Sequence, residues 1–531
     1  MFDWSILLAA ASGLILFLYG MEQFSREVQR VAGGQFRSFI KNATKSPLRG
    51  TILGALVTAV AQSSTAVTII TLGLVDSGIL SFTQSLSVIL GAGIGSTATA
   101  QLVALNFSSF APIFIPAGFL LSMFGGRFSF LGRPVFFFGL VFLGMSLVSQ
   151  ASAPLREDPE TIAMISGMDS VLMLLLIGFL ATNIFQSSGV STGLVVVLAG
   201  NGILDIDQSI ALILGCNIGT LTPLLSSVNL SLFAKRTAMA HLIFNLFGVL
   251  ILLPFIPQFT DLIVSLGGST AQQAANAHTL SNVIAVAILL MFIEPIGRLI
   301  ERIIPGKEEE ILFNTEALHG KLPEDDADAL VLIDRELRHM LSNISKSMDE
   351  LEYMLSAPDQ HAFRRLLKRE ALSDFLDERV ENSVVELSGR KMGKSAATKA
   401  VLIMRISNAL EQTADLVMAV GYVIRDMREA GLTMSEGAVA DLKAARFMLH
   451  DDVKMLRKRF PLISHADVDD MRENDAELRD RITAAYSAHL ERIAAGRVHP
   501  TGAFVKCMSR MESAHSKLRE IRKLCEMYEK L

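Results

Sequence analysis

Two short blocks place polar side chains inside otherwise apolar runs: Gln62-Ser63-Ser64-Thr65 and Gln186-Ser187-Ser188. Hydroxyls supply both donors and acceptors, and side-chain amides do the same. If a helix is interrupted at such a block, the amides that open the next helix stay free and face the break with the positive end of its dipole. That chemistry suits a small oxyanion with several acceptor oxygens. A second pair of blocks follows each, "GAGIGST" (91–97) and "GCNIGT" (215–220). Unwound carbonyls there, together with Gln62, Gln186, Thr97, Asn217 and Thr220, are hard oxygen donors of the kind that hold Na+. No Arg or Lys occurs in 54–95 or 178–219. The charge of an anion would have to be balanced by dipoles and by co-bound cations. Acidic side chains are scarce at the same depth, which favours Na+ over a proton relay as the coupling ion.

The two sets of blocks are copies. At an offset of 124 residues, 18 of 42 positions are identical between 54–95 and 178–219, without a gap. Shared apolar composition inflates such a count. It does not account for Gln-Ser-Ser, Gly-Ile-Leu…Gln-Ser and Gly-x-x-Ile-Gly recurring in one register. A duplication kept only for helix packing would conserve small residues, not a polar triplet.

The elements that must hold these blocks follow from composition. The chain has 531 residues, of which 19% are charged, and a mean hydropathy of +0.43. Apolar segments long enough to approach a bilayer span lie at 4–20, 79–105, 108–124, 134–150, 238–257 and 277–297. The stretches 51–75 and 174–199 are also apolar but carry Gln-Ser-Ser at mid-length. Basic residues cluster in 21–50 (Arg26, Arg30, Arg37, Lys41, Lys45, Arg49), read as a cytoplasmic loop, and near Arg127, Lys235 and Arg298. Glu157, Asp158, Glu160 and Asp169 make 151–169 acidic. If 51–75 enters and returns as a re-entrant hairpin, every basic cluster falls on one side and the acidic loop on the other. Residues 51–61 make about 16 Å of helix, half a bilayer. The two copies are then separated by three crossings and lie inverted. Inverted repeats with matched interruptions point to a secondary transporter with its site between the repeats. "HLIFN" (241–245) and "HTLSN" (278–282) each put His and Asn on one helix face, a pattern that serves hydrogen bonding between helices.

Paired Gln-Ser-Ser hairpins, each followed by a Gly-[Ala/Cys]-x-Ile-Gly-[Ser/Thr] break, resemble the type II sodium–phosphate cotransporter family, as do the His-x-x-x-Asn helices. The resemblance covers roughly residues 1–300. It implies Na+-coupled transport of inorganic phosphate. On the family pattern Ser63, Ser64, Thr65, Ser187 and Ser188 would contact phosphate. Gln62, Gln186 and the polar residues of the breaks, Ser96, Thr97, Asn217 and Thr220, would help hold Na+. The chain departs from the pattern where the third hairpin serine is Thr65 in one copy and Gly189 in the other.

Beyond a polar linker, 306–327, residues 328–531 carry apolar positions at three-to-four spacing with charges between them, the mark of amphipathic helices. Gly and Pro are sparse there, so an antiparallel bundle is expected. This part resembles a PhoU-like domain, the phosphate-regulatory bundle fused to bacterial members of the same family. The matching signature is Glu411-Gln-Thr-Ala-Asp415. Asp374, Asp377, Glu378 and Glu381 line a nearby helix. Carboxylates four apart share a helix face, so Asp374, Glu378, Glu411 and Asp415 are candidate ligands for a regulatory divalent or iron-type metal. The late helix has Glu512 followed by Ser516, an incomplete version of that signature.

The fold expected is all-α: a polytopic membrane domain over 1–305 with two inverted repeats, re-entrant hairpins and broken helices, then a soluble helical bundle. The partners expected are inorganic phosphate, the lipid bilayer, a second copy as homodimer, and a cytosolic regulatory partner on the bundle. The setting expected is the cytoplasmic membrane, with the bundle in the cytoplasm. A net charge of −5 gives no support to nucleic-acid binding. Three scattered cysteines build neither a disulfide framework nor a zinc site. No nucleophile–base set or P-loop is present, so an enzyme is not expected. Two alternatives stand beside a Na+/phosphate symporter: a phosphate exporter of the same fold, and a membrane-anchored phosphate sensor that binds without transport.

Overall fold

A computed structural model describes residues 4–43, 46–105, 110–124, 126–154, 167–168, 170–306, 309–357, 360–390, 392–495 and 502–531. Among them the secondary structure is helical throughout, with no strand. The chain separates into two compact units, Met1–Glu310 and Ile311–Leu531.

The first unit opens with α1 (Trp4–Ala43), followed by α2 (Pro47–Ala61), α3 (Ser64–Asp76), α4 (Phe82–Gly95), α5 (Thr97–Ala104), α6 (Ala111–Phe124) and α7 (Gly132–Ser152). Then come α8 (Val171–Phe185), α9 (Ser188–Gly200), α10 (Ile206–Ile218), α11 (Thr222–Ser226), α12 (Leu232–Leu252), α13 (Ile256–Ser265), α14 (Thr270–Met291) and α15 (Ile293–Ile303). Among the described residues, six helical segments are long and apolar enough to cross a bilayer: 8–31, 82–104, 128–151, 206–226, 232–265 and 270–291.

Three expectations need correction. Residues 21–43 are not a loop, because α1 runs unbroken for 40 residues, about 60 Å at 1.5 Å per residue. The apolar period continues beneath the basic residues: Phe17 and Met21 are buried, and Phe24 meets Phe138 of α7 at 5.4 Å between ring centroids. The segment 206–226 is also long and apolar enough to span; Asp205 and Asp207 at its start lower its apparent hydropathy, yet Asp205 serves as the N-cap of α10. Residues 108–124 yield only the 14-residue α6 with Pro116 inside it, too short to span on its own, so the count of three crossings that would invert the copies does not stand on this helix. Arg156 and the acidic residues Glu157, Asp158, Glu160 and Asp169, on which the orientation argument partly rests, lie outside the described residues, as do Lys45 and Lys307.

Each hairpin packs its first helix backbone to backbone on the helix before the break. A Cβ at Gly91 would overlap the Thr51 carbonyl of α2, and one at Gly215 would overlap the Leu175 carbonyl of α8. The glycines of the second motif therefore act first through close approach, and α4 and α10 are wedged against the helices that end in Gln62 and Gln186.

The second unit contains α16 (Asp326–Ser356), α17 (Gln360–Ser388), α18 (Lys394–Glu429), α19 (Glu436–Arg459), α20 (His465–Ala494) and α21 (Ala503–Glu529). One continuous core joins them, with Ile333, Leu376, Ile406, Leu449 and Leu518 fully enclosed. Part of the stretch expected as linker folds onto this core: Ile311 and Leu322 are buried in it. The buried Glu336 carboxylate accepts from the amides of Glu316, Ala317 and Leu318 at 3.2, 3.0 and 3.4 Å, which ties 316–318 down.

Candidate functional site

The hairpin tips take the same backbone form in both copies. Gln62 and Gln186 are the only non-glycine residues with positive φ among those described, each at 54°. A left-handed residue with a side chain costs roughly 1–2 kcal/mol, so two at matching positions mark places that the surrounding structure enforces. Each Gln ends one helix, and the next residue starts another. Ser63 is extended and its hydroxyl accepts from the Ala66 amide at 3.2 Å. Ser187 does the same for the Val190 amide at 3.4 Å. The helices after the breaks thus begin at Ser64 and Ser188, as the motif suggested, and their first amides remain open toward the break.

The two tips border one cavity of about 570 Å³. Gln62, Ser63 and Thr65 line it from the first copy, and Gln186, Ser187 and Gly189 from the second. Ser64 and Ser188 are buried behind the tips, 9% and 7% exposed, and are not among the lining residues. Thr99 of α5 is, and its hydroxyl donates to Gln62 Oε1 at 3.0 Å. The other end of the Gln62 amide donates to the Ala59 carbonyl, which fixes the side chain against the helix it terminates.

Helix α1 closes the cavity with residues that sequence reasoning assigned to a loop: Glu22, Ser25, Arg26 and Gln29. Their i, i+3, i+4, i+7 spacing was the available signal, a polar stripe on a helix whose other face is apolar. Ser25 donates to the Ala61 carbonyl at 3.1 Å, and Gln29 Nε2 donates to the same carbonyl at 3.3 Å. The stripe thereby satisfies carbonyls that the end of α2 leaves free.

The residues of the second motif lie elsewhere. The Ser96 hydroxyl donates to the Gly93 carbonyl at 2.7 Å, and that of Thr97 to the Ile94 carbonyl at 2.8 Å. Their protons are engaged and their lone pairs are left to accept from a donor or meet a cation. Thr220 is buried. Asn217 lines a small cavity of about 30 Å³ with Gly93, Asn245, Ser281 and Asn282, room for one or two water-sized bodies. Asn217 Oδ1 also lies 3.1 Å from His278 Nε2. The two His-x-x-x-Asn motifs thus bring their asparagines to one space beside both breaks, a convergence not read from the sequence.

In the bundle, Glu370, Asp374 and Asp415 place carboxylate oxygens within 4.8 Å of one another. Glu411 joins them electrostatically: partial burial, then Asp415 and Asp374, push its carboxyl up to about 7. Glu378 is not part of the group; Glu370, one turn earlier on α17, takes the place that the sequence assigned to it. A second group, Asp452, Asp475 and His515, is fully buried. Asp475 is held there by Arg522 Nη1 at 2.6 Å and by His515 Nε2 at 2.7 Å.

Residues 16–150 and 162–267 match the Na+/Pi-cotransporter family. The chain belongs to that family. A Bacillus subtilis relative, the uncharacterized protein YqeW, is 31% identical over 306 residues, 57% of this chain and 99% of the relative. Salmonella typhimurium YjbB, provisionally named an inorganic phosphate export protein, is 26% identical over 465 residues, 86% of this chain and 84% of its own. The mouse sodium-dependent phosphate transport protein 2C is 36% identical over 113 residues, 20% of this chain and 19% of its own. No solved structure matches the chain.

Proposed function

We propose that the membrane unit carries inorganic phosphate across the bilayer, coupled to Na+, with phosphate bound between the two hairpin tips. The observation that carries this reading is that Ser63, Thr65 and Ser187 border one cavity with both left-handed glutamines. Two helix N-termini, three hydroxyls and the side-chain amides of Gln62 and Gln186 supply donors for a tetrahedral oxyanion. Ser64 and Ser188 act from behind the tips by setting the helix starts.

Na+ would sit at the breaks. Asn217 with Asn245 and Asn282 offers hard oxygens around a space of the right scale, and Ser96, Thr97 and Thr220 lie at the same helix ends. Gln62 and Gln186 would contribute from the phosphate side. The test is equilibrium phosphate binding to the purified full chain, with Na+ replaced by choline. Na+ should tighten binding, and equal affinity in both media would refute coupling through the site.

The relation to YjbB over 86% of this chain favours a second reading on direction, net export. Phosphate content of a deletion strain grown at high external phosphate separates the two: accumulation marks an exporter. The bundle is proposed as a cytoplasmic regulatory domain whose Glu370, Asp374, Glu411 and Asp415 bind a divalent or iron-type cation. Mutual repulsion of these carboxylates is what a cation would relieve.

A further inference from the structure

Among the described residues, the cavity between the tips has two charged lining residues, Glu22 and Arg26, and both come from α1. They are paired, Arg26 Nη2 to Glu22 Oε1 at 2.6 Å, with side chains 66% and 54% exposed. We infer that this pair is an anion-exchange gate in the cavity wall: an incoming divalent oxyanion displaces the Glu22 carboxylate from Arg26 and takes the guanidinium as its own counter-charge.

The inference rests on the phosphate site proposed above and adds what the hairpins lack. The tips offer hydroxyls, amides and helix dipoles, none with a full positive charge. A guanidinium presents a planar fork that fits two oxygens of a phosphate, and an ammonium does not reproduce it. The carboxylate already on Arg26 belongs to an exposed pair and is a weak competitor, which an anion of higher charge readily replaces. A monovalent anion such as chloride brings no more charge than Glu22 and cannot bridge the fork, whereas a phosphate dianion brings twice the charge on a tetrahedron of oxygens. The exchange therefore selects divalent tetrahedral oxyanions over halides. Helix position supports the role. Ser25 and Gln29 anchor the same face of α1 to the end of α2, so Arg26 is held beside the first tip while its exposed head remains able to change partner.

The experiment is calorimetric titration of inorganic phosphate into the purified full chain, with chloride as competitor, for Arg26→Gln, Arg26→Lys, Glu22→Gln and Ser63→Ala. Thermal unfolding of each variant checks that it is folded. Arg26→Gln should weaken phosphate binding roughly tenfold or more, the scale of losing a charge-assisted hydrogen bond. Arg26→Lys should recover part of that loss. Glu22→Gln should tighten phosphate and, with the competitor gone, let chloride compete more effectively. Unchanged affinity in Arg26→Gln and Glu22→Gln, with Ser63→Ala weakened, overturns the gate and leaves the hairpin site standing. Unchanged affinity in all four overturns the hairpin site as well.

Discussion

Ser63 performs two tasks that a single substitution can separate. Its hydroxyl caps α3 through the Ala66 amide, and it faces the cavity shared with Ser187. Ser63→Ala removes both functions. The lost cap should cost about 1 kcal/mol of stability, and the lost contact to a charged ligand about 1.5–3 kcal/mol of binding, roughly 10- to 150-fold. Ser63→Asp divides them. A carboxylate caps as well as a hydroxyl and favours the positive end of α3, so stability should return to the parent value. The same carboxylate stands where the anion binds. At about 4 Å and an effective dielectric of about 20, it repels each unit of phosphate charge by about 4 kcal/mol, enough to abolish measurable binding. Thermal unfolding and phosphate titration on the same preparations read the two quantities. Ser63→Asp that is stable and binds phosphate normally would refute the placement of the anion at this tip.

Other outcomes follow from the same geometry. Gly189→Ser gives the second tip a third side chain, with its Cβ 3.3 Å from the Thr99 hydroxyl; phosphate should bind several-fold tighter, and weaker binding by titration would show that the tip is not short of a hydroxyl. Gly215→Val drives side-chain atoms into the Leu175 carbonyl and should abolish recovery of folded protein on size exclusion, which near-normal yield would contradict. In the bundle, Glu411 titrates near 7 because burial and Asp415 disfavour its charge. The folded chain then holds a proton that the unfolded chain has released, so stability falls as pH rises from the ordinary carboxylate range to about 7. Protection factors of α17 and α18 in the full chain, corrected for the intrinsic pH dependence of amide exchange, should fall between pH 5 and 7.5, and Mn2+ at pH 7.5 should restore them unless Asp415 is changed to Asn. Asp475→Asn breaks a buried pair with Arg522 and should destabilise the bundle by about 3–5 kcal/mol, read as earlier exchange of α20 and α21.

What the sequence revealed and what it hid have physical causes. The hairpin tips were legible because a polar triplet in an apolar run is costly and was present twice in one register. The left-handed glutamines, the caps at Ser63 and Ser187, and the helix starts at Ser64 and Ser188 all fall where that triplet placed them. The role of α1 was hidden because a stripe of Glu22, Ser25, Arg26 and Gln29 looks the same whether it faces water in a loop or a cavity in a wall. Only packing of Phe17, Met21 and Phe24 against α7 decides between them. The convergence of Asn217, Asn245 and Asn282 depends on how three helices cross, which spacing within one helix cannot specify. On the bundle, the four-residue period identifies the acidic face but not which turn of α17 meets α18, and the carboxylate that lies with Asp374 and Asp415 is Glu370 rather than Glu378.

The central proposal is that phosphate moves through the hairpin cavity under the control of Na+. Reconstituted full-length protein in liposomes, given labelled phosphate with and without an inward Na+ gradient, tests this most directly. The gradient should accelerate phosphate uptake in the parent, and Ser63→Asp should eliminate it. Flux that is the same without Na+, or that survives Ser63→Asp, would contradict the account.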